Sequence, residues 1–516
     1  MSDTALGSAP FARADGPQPH STERVADPLV VAVFAVAVSA AGAARPSFWF
    51  DEAATISAST RSLPDLWQLL HNIDAVHGLY YLVMHGWFAV FPATEFFSRF
   101  SSSLAVGVAA AGVVKFGRQF ASRTVAVTAG VMFAILPRTT WAGIETRPYA
   151  LTAAVAVWLM VLVVVAGRRN TVVLWVAYCA ALTVSIVLNM FAVAMVLVHA
   201  CVVARVAEDR RAVKAWATAS SLAVVAVIPF IAFCRTQIAQ VRWISSPGWH
   251  TVLEVAKEQY FDDSTSFAVA AALVLTASLV SRRFWPTAVG GRHLAKIAIL
   301  WITLPTLVLL AYSLWFEPVY YPRYLTFTSP AMALLLGIGI VALARARQAV
   351  TATVTAFALA ATPNYLTVQR GPYAKEGMDY SAVADVIDAH ANPGDCLILD
   401  NTADWAPGPI RPLTAARPSV YEKLIDPGRG QRAAERNRLW DAHLGISGVA
   451  DSVRRCTVLW TVSERDDTVP DHESGASMNP GPRLQRAPAY QVPHHMGFHV
   501  VERWQFSFAQ VVKSTR

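Results

Sequence analysis

The stretch Arg45-Pro-Ser-Phe-Trp-Phe-Asp-Glu-Ala-Ala-Thr55 follows directly on the first long apolar segment of the chain. It sets two adjacent carboxylates, Asp51 and Glu52, where a membrane helix meets water. The aromatic run Phe48-Trp49-Phe50 before them is of the kind that anchors at lipid headgroups. Charged groups at such a boundary are costly unless they are solvated, so Asp51 and Glu52 must face water or a polar cavity. Taken alone, the pair reads as a solvated helix end. The rest of the chain shifts that balance.

The composition is that of a polytopic α-helical membrane protein with a soluble part. Only 15% of the 516 residues are charged and 54% are hydrophobic, whereas a soluble globular chain carries about 25% charge. Mean hydropathy is +0.40. The net charge of +8 belongs first to cytoplasmic loops and does not point to nucleic acid. Residues 1–27, rich in Gly, Pro and Ser, read as a disordered cytoplasmic leader. No cleavable signal peptide stands out. Cys179, Cys201 and Cys234 read as small apolar residues. Cys396 and Cys456 are candidates for a disulfide if the tail is extracytoplasmic. No cysteine or histidine spacing resembles a zinc site.

Hydropathy gives about eleven spans. They are Leu29–Ala44, Ser101–Phe116, Val125–Leu136, Ala150–Ala166, Val172–Leu188, Phe191–Val206, Ala215–Phe233, Phe267–Val280, Ile297–Trp315, Leu325–Leu343 and Val350–Ala361. The basic groups Arg118/Arg123, Arg168/Arg169, Arg210/Arg211/Lys214, Arg282 to Lys296 and Arg345/Arg347 mark successive inside loops. This pattern holds only if the short aromatic segment Gly78–Phe91 lies at the surface and does not span. The N-terminus is then inside, and Asp51 and the tail are outside. The expected division is a transmembrane domain over 28–366, with its first outer loop at 45–98, and a soluble α/β domain over 373–516. In that domain Ser381–Ala391 and Ala433–Leu444 read as helices. Cys396–Leu399, Val458–Val462 and Phe498–Phe508 read as strands, and Asp466–Arg486 as a loop.

Four outer segments carry a polar or ionisable group at a helix end. They are Asp51-Glu52, the His77-Gly-Leu-Tyr80-Tyr81 region, Glu145-Thr-Arg147-Pro-Tyr149, and Tyr320-Tyr-Pro-Arg323-Tyr324. Singly, each has an ordinary reading: a snorkelling arginine, a helix cap or an aromatic belt. Together they match what sugar transfer from a lipid-linked phosphate needs. A carboxylate can take the proton of an attacking hydroxyl. Arginine and tyrosine donors can hold the departing phosphate, which the planar guanidinium fork suits well.

In order and spacing, Phe-Trp-Phe-Asp51-Glu52-Ala, His77-Gly-Leu-Tyr-Tyr, Ser98-Arg99-Phe-Ser-Ser, Glu145-Thr-Arg147-Pro-Tyr149 and Tyr-Pro-Arg323-Tyr324-Leu resemble the bacterial branch of the protein O-mannosyltransferase and aminoarabinose transferase superfamily. The resemblance covers roughly residues 28–345. His77-Gly-Leu stands where that family often has His-Pro-Pro-Leu, and a His-aromatic pair common near Asn189-Met190 is missing. The resemblance implies a GT-C fold and an inverting glycosyltransferase that uses a polyprenyl-phosphate sugar. It implies Asp51 as the catalytic carboxylate, with Glu52 as helper or alternative. Arg147, Arg323, Tyr324 and Tyr149 would be donor-phosphate contacts, and His77 and Tyr81 would line the cleft. Arg99 fits the family pattern, with a structural role about equally weighted. No bound metal or cofactor is expected. The expected partners are the bilayer, the lipid-linked donor, and a glycan, glycolipid or protein acceptor. The expected location is the plasma membrane, multi-pass, with the active site outside. The donor sugar is left between mannose, which is favoured, and arabinose. A transporter or lipid flippase, and a non-catalytic scaffold with an outer binding domain, stay open as alternatives.

Overall fold

Helix boundaries in the computed structural model follow local chemistry more closely than hydropathy. The structure describes residues 23–280, 289–344, 346–401 and 410–516. Arg282, Arg283 and Arg345, and most of the leader, lie outside the described residues. Thr94 accepts a hydrogen bond from the Phe97 amide and starts the helix Glu95–Gly117 several residues before the apolar run. Ser122 caps Arg123–Ile135 and Asp209 caps Arg210–Thr236 in the same way. Such caps satisfy amides that have no partner inside the helix.

Five helices are long and apolar enough to cross a membrane: Glu95–Gly117, Tyr149–Arg169, Arg210–Thr236, Gly291–Trp315 and Pro322–Leu343. Five shorter apolar helices accompany them, Ala26–Ala40, Arg123–Ile135, Val172–Leu188, Met190–Val206 and Thr265–Val280. The helix Arg347–Pro363 comes last. The chain is thus a polytopic helical membrane protein. Small residues let the helices approach closely. A Cβ on Gly107 would collide with Val36 Cγ2 and lie 3.0 Å from the Ala32 carbonyl oxygen. At one end of the bundle Arg118 and Arg123 both pair with Asp27, at the start of the first helix.

At the other end, two buried arginines shape the loop that carries Asp51. Arg370 donates to the carbonyls of Ala41 and Ser39 and lies over the Tyr365 ring. Arg99 donates to the carbonyls of Ala43, Pro46 and Ser47. These carbonyls follow the C-terminal end of a helix and have no intrahelical partner, so the guanidinium groups fix the turn. The segment then enters a helix at Phe50–Ser59, followed by Leu63–Asn72 and Gly78–Phe88. The last of these has 11 residues and is roughly 16 Å long at the α-helical rise, about half of a bilayer's hydrocarbon core.

The tail holds a five-stranded sheet. The strands are β1 Cys396–Leu399, β2 Val458–Glu464, β3 His472–Ser474, β4 His499–Gln505 and β5 Ala509–Thr515. Their order is β1-β2-β5-β4-β3, with β1 parallel to β2 and the other pairs antiparallel. Cys396 and Cys456 form a disulfide with their Cα atoms 6.0 Å apart. The helix Tyr380–His390 packs Val383, Ala384 and Ile387 against the sheet core. That core also takes in Phe48, Trp49, Ala53 and Ile56 of the first loop, so tail and loop share one hydrophobic cluster.

Three readings of the tail need correction. Residues 433–444 form no helix. They make a turn with Asn437 at φ 51°, and the flanking backbone pairs with itself, Gly430 N–H to Ala442 O and Leu444 N–H to Gly428 O. The expected final strand Phe498–Phe508 is β4, His499–Gln505, and it is not the last: after a short turn around Ser507 the chain returns as β5, Ala509–Thr515, which the sequence reading did not include. The supposed loop 466–486 contains β3 and a short helix, Pro482–Arg486. β3 is only 3 residues long, below what alternation can reveal.

Candidate active site

Asp51 stands in the first turn of the helix Phe50–Ser59 and faces a cavity of about 540 Å³. Arg147 Nη2 lies 3.0 Å from Asp51 Oδ1, and Arg323 Nη2 lies 3.6 Å from Oδ2. Residues 96 and 272 positions apart along the chain thus converge on one carboxylate. Burial pushes the Asp51 carboxyl up, but the two guanidinium charges outweigh it and hold Asp51 below the ordinary aspartate range.

Each arginine is held from behind. Tyr81 accepts from Arg147 Nη1 at 3.1 Å and donates to Asp74 Oδ2 at 2.6 Å. Asp74 sits at φ 60°, a left-handed conformation that Asp tolerates better than most residues. Arg323 is surrounded by rings, with its guanidinium carbon 4.6 Å from the Tyr321 centroid, 5.3 Å from Trp49 and 6.0 Å from Trp243. Such faces attract a cation without neutralising it. Tyr324 stacks on Phe191 at 5.7 Å, and Asn189 Nδ2 donates to the Tyr324 carbonyl.

The cavity has two characters. Asp51, Asp74, His77, Arg147, Tyr149, Arg323 and Tyr324 contribute to its polar end. Apolar lining comes from Ile231, Ile238, Val241, Val308 and Leu309, on and just after Arg210–Thr236 and on Val289–Trp315. Among the described residues, Arg147 Nε, Arg323 Nε and His77 Nδ1 are buried without a hydrogen-bond partner. All three belong to residues that line the cavity, where two guanidinium groups and a neutral imidazole gather beside Asp51. Burial and then the Arg147 charge push His77 down to about 4, which keeps its imidazole neutral near pH 7.

Most of the site residues expected from sequence meet here: Asp51, Arg147, Arg323, Tyr149, Tyr324 and His77 all line the cavity. Two do not. Glu52 points away from Asp51 and is fully buried against Arg99 at 2.6 and 2.8 Å, accepting also from the Thr146 amide and hydroxyl. Neighbours on a helix project roughly 100° apart, so two adjacent carboxylates cannot share one face. Burial raises the Glu52 carboxyl, but Arg99 outweighs it and leaves the group ionised. Arg99 is therefore structural. Tyr81 stands behind Arg147 and does not line the cleft.

Sequence reading missed several residues. Asp74 was passed over between two apolar neighbours. From sequence Trp49 reads as a headgroup anchor, yet its indole donates to Glu145 Oε2 at 3.2 Å. Glu145 in turn pairs with Lys375 of the tail. Burial pushes Glu145 up to about 7 and pulls Lys375 down. Leu439 and Trp440 reach the cavity from the tail; no local pattern signals that.

Neither protein-family models nor curated protein sequences yield a match. Solved structures do. A crystal structure of ArnT from Cupriavidus metallidurans in the apo state aligns with TM-score 0.55 and 14% identity, covering 94% of this chain and 97% of that one. A second, of ArnT bound to undecaprenyl phosphate, aligns with TM-score 0.51 over the same shares and at the same identity. At that identity the likeness speaks for architecture alone. The alignment runs over nearly the whole of both chains, and this chain has the GT-C fold.

Proposed function

We propose that this protein is an inverting glycosyltransferase that moves a sugar from a polyprenyl-phosphate donor to a hydroxyl of a cell-envelope glycan, glycolipid or protein. The observation that carries this reading is Asp51 between Arg147 and Arg323 at the polar end of a cavity whose other lining is apolar. In this reading the prenyl chain lies along Ile231, Val308 and Leu309. The phosphate meets the two guanidinium groups, with Tyr149 and Tyr324 as further donors. The acceptor oxygen attacks the anomeric carbon, and the bond from that carbon to the phosphate oxygen breaks. Asp51 takes the acceptor's proton, and the electron pair leaves on polyprenyl phosphate. Attack opposite the leaving group inverts the anomeric centre. Fixed cations next to the developing phosphate charge are worth most where water is excluded. No metal ion enters this step.

The same reading has eleven membrane spans: the ten apolar helices above and Arg347–Pro363. Asp51 and the tail domain, 373–516, lie on the extracytoplasmic face, and residues 1–27 in the cytoplasm. Two features support that orientation. Arg118 and Arg123 gather around Asp27, at the end of the first helix away from Asp51. The Cys396–Cys456 disulfide suits an oxidising compartment. Mannose is the favoured sugar and arabinose the second.

A flippase or transporter is the alternative of a different class. It would place ionisable groups along a path through mid-membrane, whereas the groups around Asp51 cluster where helices begin. A non-catalytic scaffold leaves the cavity, with Asp51 held between Arg147 and Arg323, without a purpose. The deciding experiment is a transfer assay on membranes bearing the full-length protein, with a panel of labelled polyprenyl-phosphate sugars. Loss of label from one donor into a product, dependent on Asp51, is the expected result. Lipid movement across the bilayer without cleavage of any donor would overturn the reading.

A further inference from the structure

Among the described residues, only Leu439 and Trp440 line the Asp51 cavity from positions beyond Tyr324. Both sit at the tip of segment 428–444, which leaves the tail and returns to it. Its base is closed by its own backbone: Gly430 N–H to Ala442 O at 2.9 Å, Ala442 N–H to Gln431 O at 2.9 Å, and Leu444 N–H to Gly428 O at 2.8 Å. Asp441 Oδ1 accepts from the Ala433 amide at 2.7 Å and stiffens the tip. The tip is pinned to the helix that carries Asp51. Ser57 Oγ donates to the Leu439 carbonyl at 2.6 Å, Arg61 donates to the Arg438 carbonyl, and the rings of Phe50 and Trp440 lie 5.3 Å apart. Phe50 is the residue next to Asp51.

We propose that this strap is the acceptor wall of the active site and that Trp440 is the platform on which a pyranose ring of a saccharide acceptor stacks. The proposal rests on the transferase reading and narrows its acceptor to a carbohydrate. Trp440 packs in part against the apolar residues of the loop and tail, yet stays only half-buried where it lines the cavity, and its indole N–H donates to no atom of the described residues. A tryptophan serving only as core would normally be more enclosed and have its N–H satisfied. A pyranose offers an apolar C–H face for the part of the ring left open to the cavity and a rim of hydroxyls for the N–H. A peptide acceptor bound as an added strand needs free backbone groups on an exposed edge, and the strap spends those on its own ladder. The apolar lining from the two long helices serves the donor's prenyl chain in the transferase reading. That leaves the strap side of the cavity to the second substrate.

The test uses the full-length protein in membranes, the labelled polyprenyl-phosphate sugar that the panel assay selects, and two probe acceptors: octyl α-D-mannopyranoside and a Ser/Thr-rich peptide. Wild-type protein is expected to glycosylate the pyranoside in preference to the peptide. W440A and W440L are each expected to raise the pyranoside KM about tenfold, with a much smaller change in kcat and with undecaprenyl phosphate binding held within twofold. W440F should recover part of the loss. W440L keeps the apolar contact with Phe50 and so guards against simple misfolding. A W440L enzyme with wild-type pyranoside KM would show a packing role only and overturn the proposal, as would preference for the peptide. Absence of any donor cleavage by the wild type would instead overturn the transferase reading on which the proposal rests.

Discussion

Arg147 Nη2 lies 3.0 Å from Asp51 Oδ1, and the same guanidinium takes the Tyr81 hydroxyl through Nη1 at 3.1 Å. The proposed base is thus ion-paired to one of the groups proposed to bind the donor phosphate. An aspartate so held is a poor base. A phosphate arriving at Arg147 and Arg323 competes with Asp51 for them and adds a negative charge beside it, both of which raise its basicity. Donor binding would therefore prepare the base.

Asp51→Asn tests this directly. Transfer should fall by about 10²–10⁴-fold, the usual worth of a general base. Affinity for undecaprenyl phosphate should rise, because the arginines lose their resident carboxylate. Both can be read on one preparation by a label-transfer assay and equilibrium binding. Weaker lipid phosphate binding in the variant would sink the idea of competition.

The pH profiles should separate. In the free protein Asp51 is held below the ordinary aspartate range, so it stays charged down to low pH and the acid limb of kcat/KM lies below about pH 4. With donor bound the carboxyl rises, and the acid limb of kcat should move to higher pH. Coincident limbs would mean that the phosphate does not engage the Asp51 arginines.

Arg147→Lys and Arg323→Lys keep the charge and lose the fork. Each should cost on the order of 10²-fold or more in kcat/KM, as removal of one oxyanion donor does. Arg323→Lys should be the better tolerated for donor binding, since three rings around that position still attract an ammonium. Equal losses in all kinetic parameters would argue against that distinction.

Glu145 and Lys375 form a buried pair that ties the tail to the loop through Trp49. With its carboxyl raised to about 7, Glu145 contributes stability that is fully present below about pH 4.5 and is lost as pH rises through 7. Glu145→Gln should therefore flatten thermal stability between pH 5 and 8 in detergent. Lys375→Met alone should destabilise at pH 8 by roughly 3 kcal/mol, as removal of one member of a buried pair does. Lys375→Met with Glu145→Gln should recover most of that loss.

The disulfide closes a loop with a sequence separation of 60, and loops of that length are worth about 4 kcal/mol at most. Cys396→Ser with Cys456→Ser should leave the spans intact and make the tail sensitive to limited proteolysis. Unchanged protease resistance would show that the sheet core carries the tail without it.

Much of this site was legible because membrane boundaries sort residues by solvation. Asp51, His77, Arg147 and Arg323 each stand out as an ionisable group at the end of an apolar run, and a bilayer tolerates such groups only on a polar face. Membership of one site therefore followed from shared exposure, before any contact was known. Asp74 and Trp49 escaped because each has an ordinary reading in its own neighbourhood, and only a partner reveals the role.

By itself the amino-acid order determined the helical membrane class, the apolar segments, the end of the bundle where the candidate site residues gather, and the first strands of the tail. Those properties depend on hydropathy and local periodicity, which are written in neighbouring residues. Tertiary structure alone decided that Glu52 turns from Asp51 to Arg99, that Lys375 answers Glu145 across 230 positions, and that Leu439 meets Ser57 across 382. Such pairings are set by which buried charges and backbone groups find partners once the helices pack, and no local pattern encodes that choice.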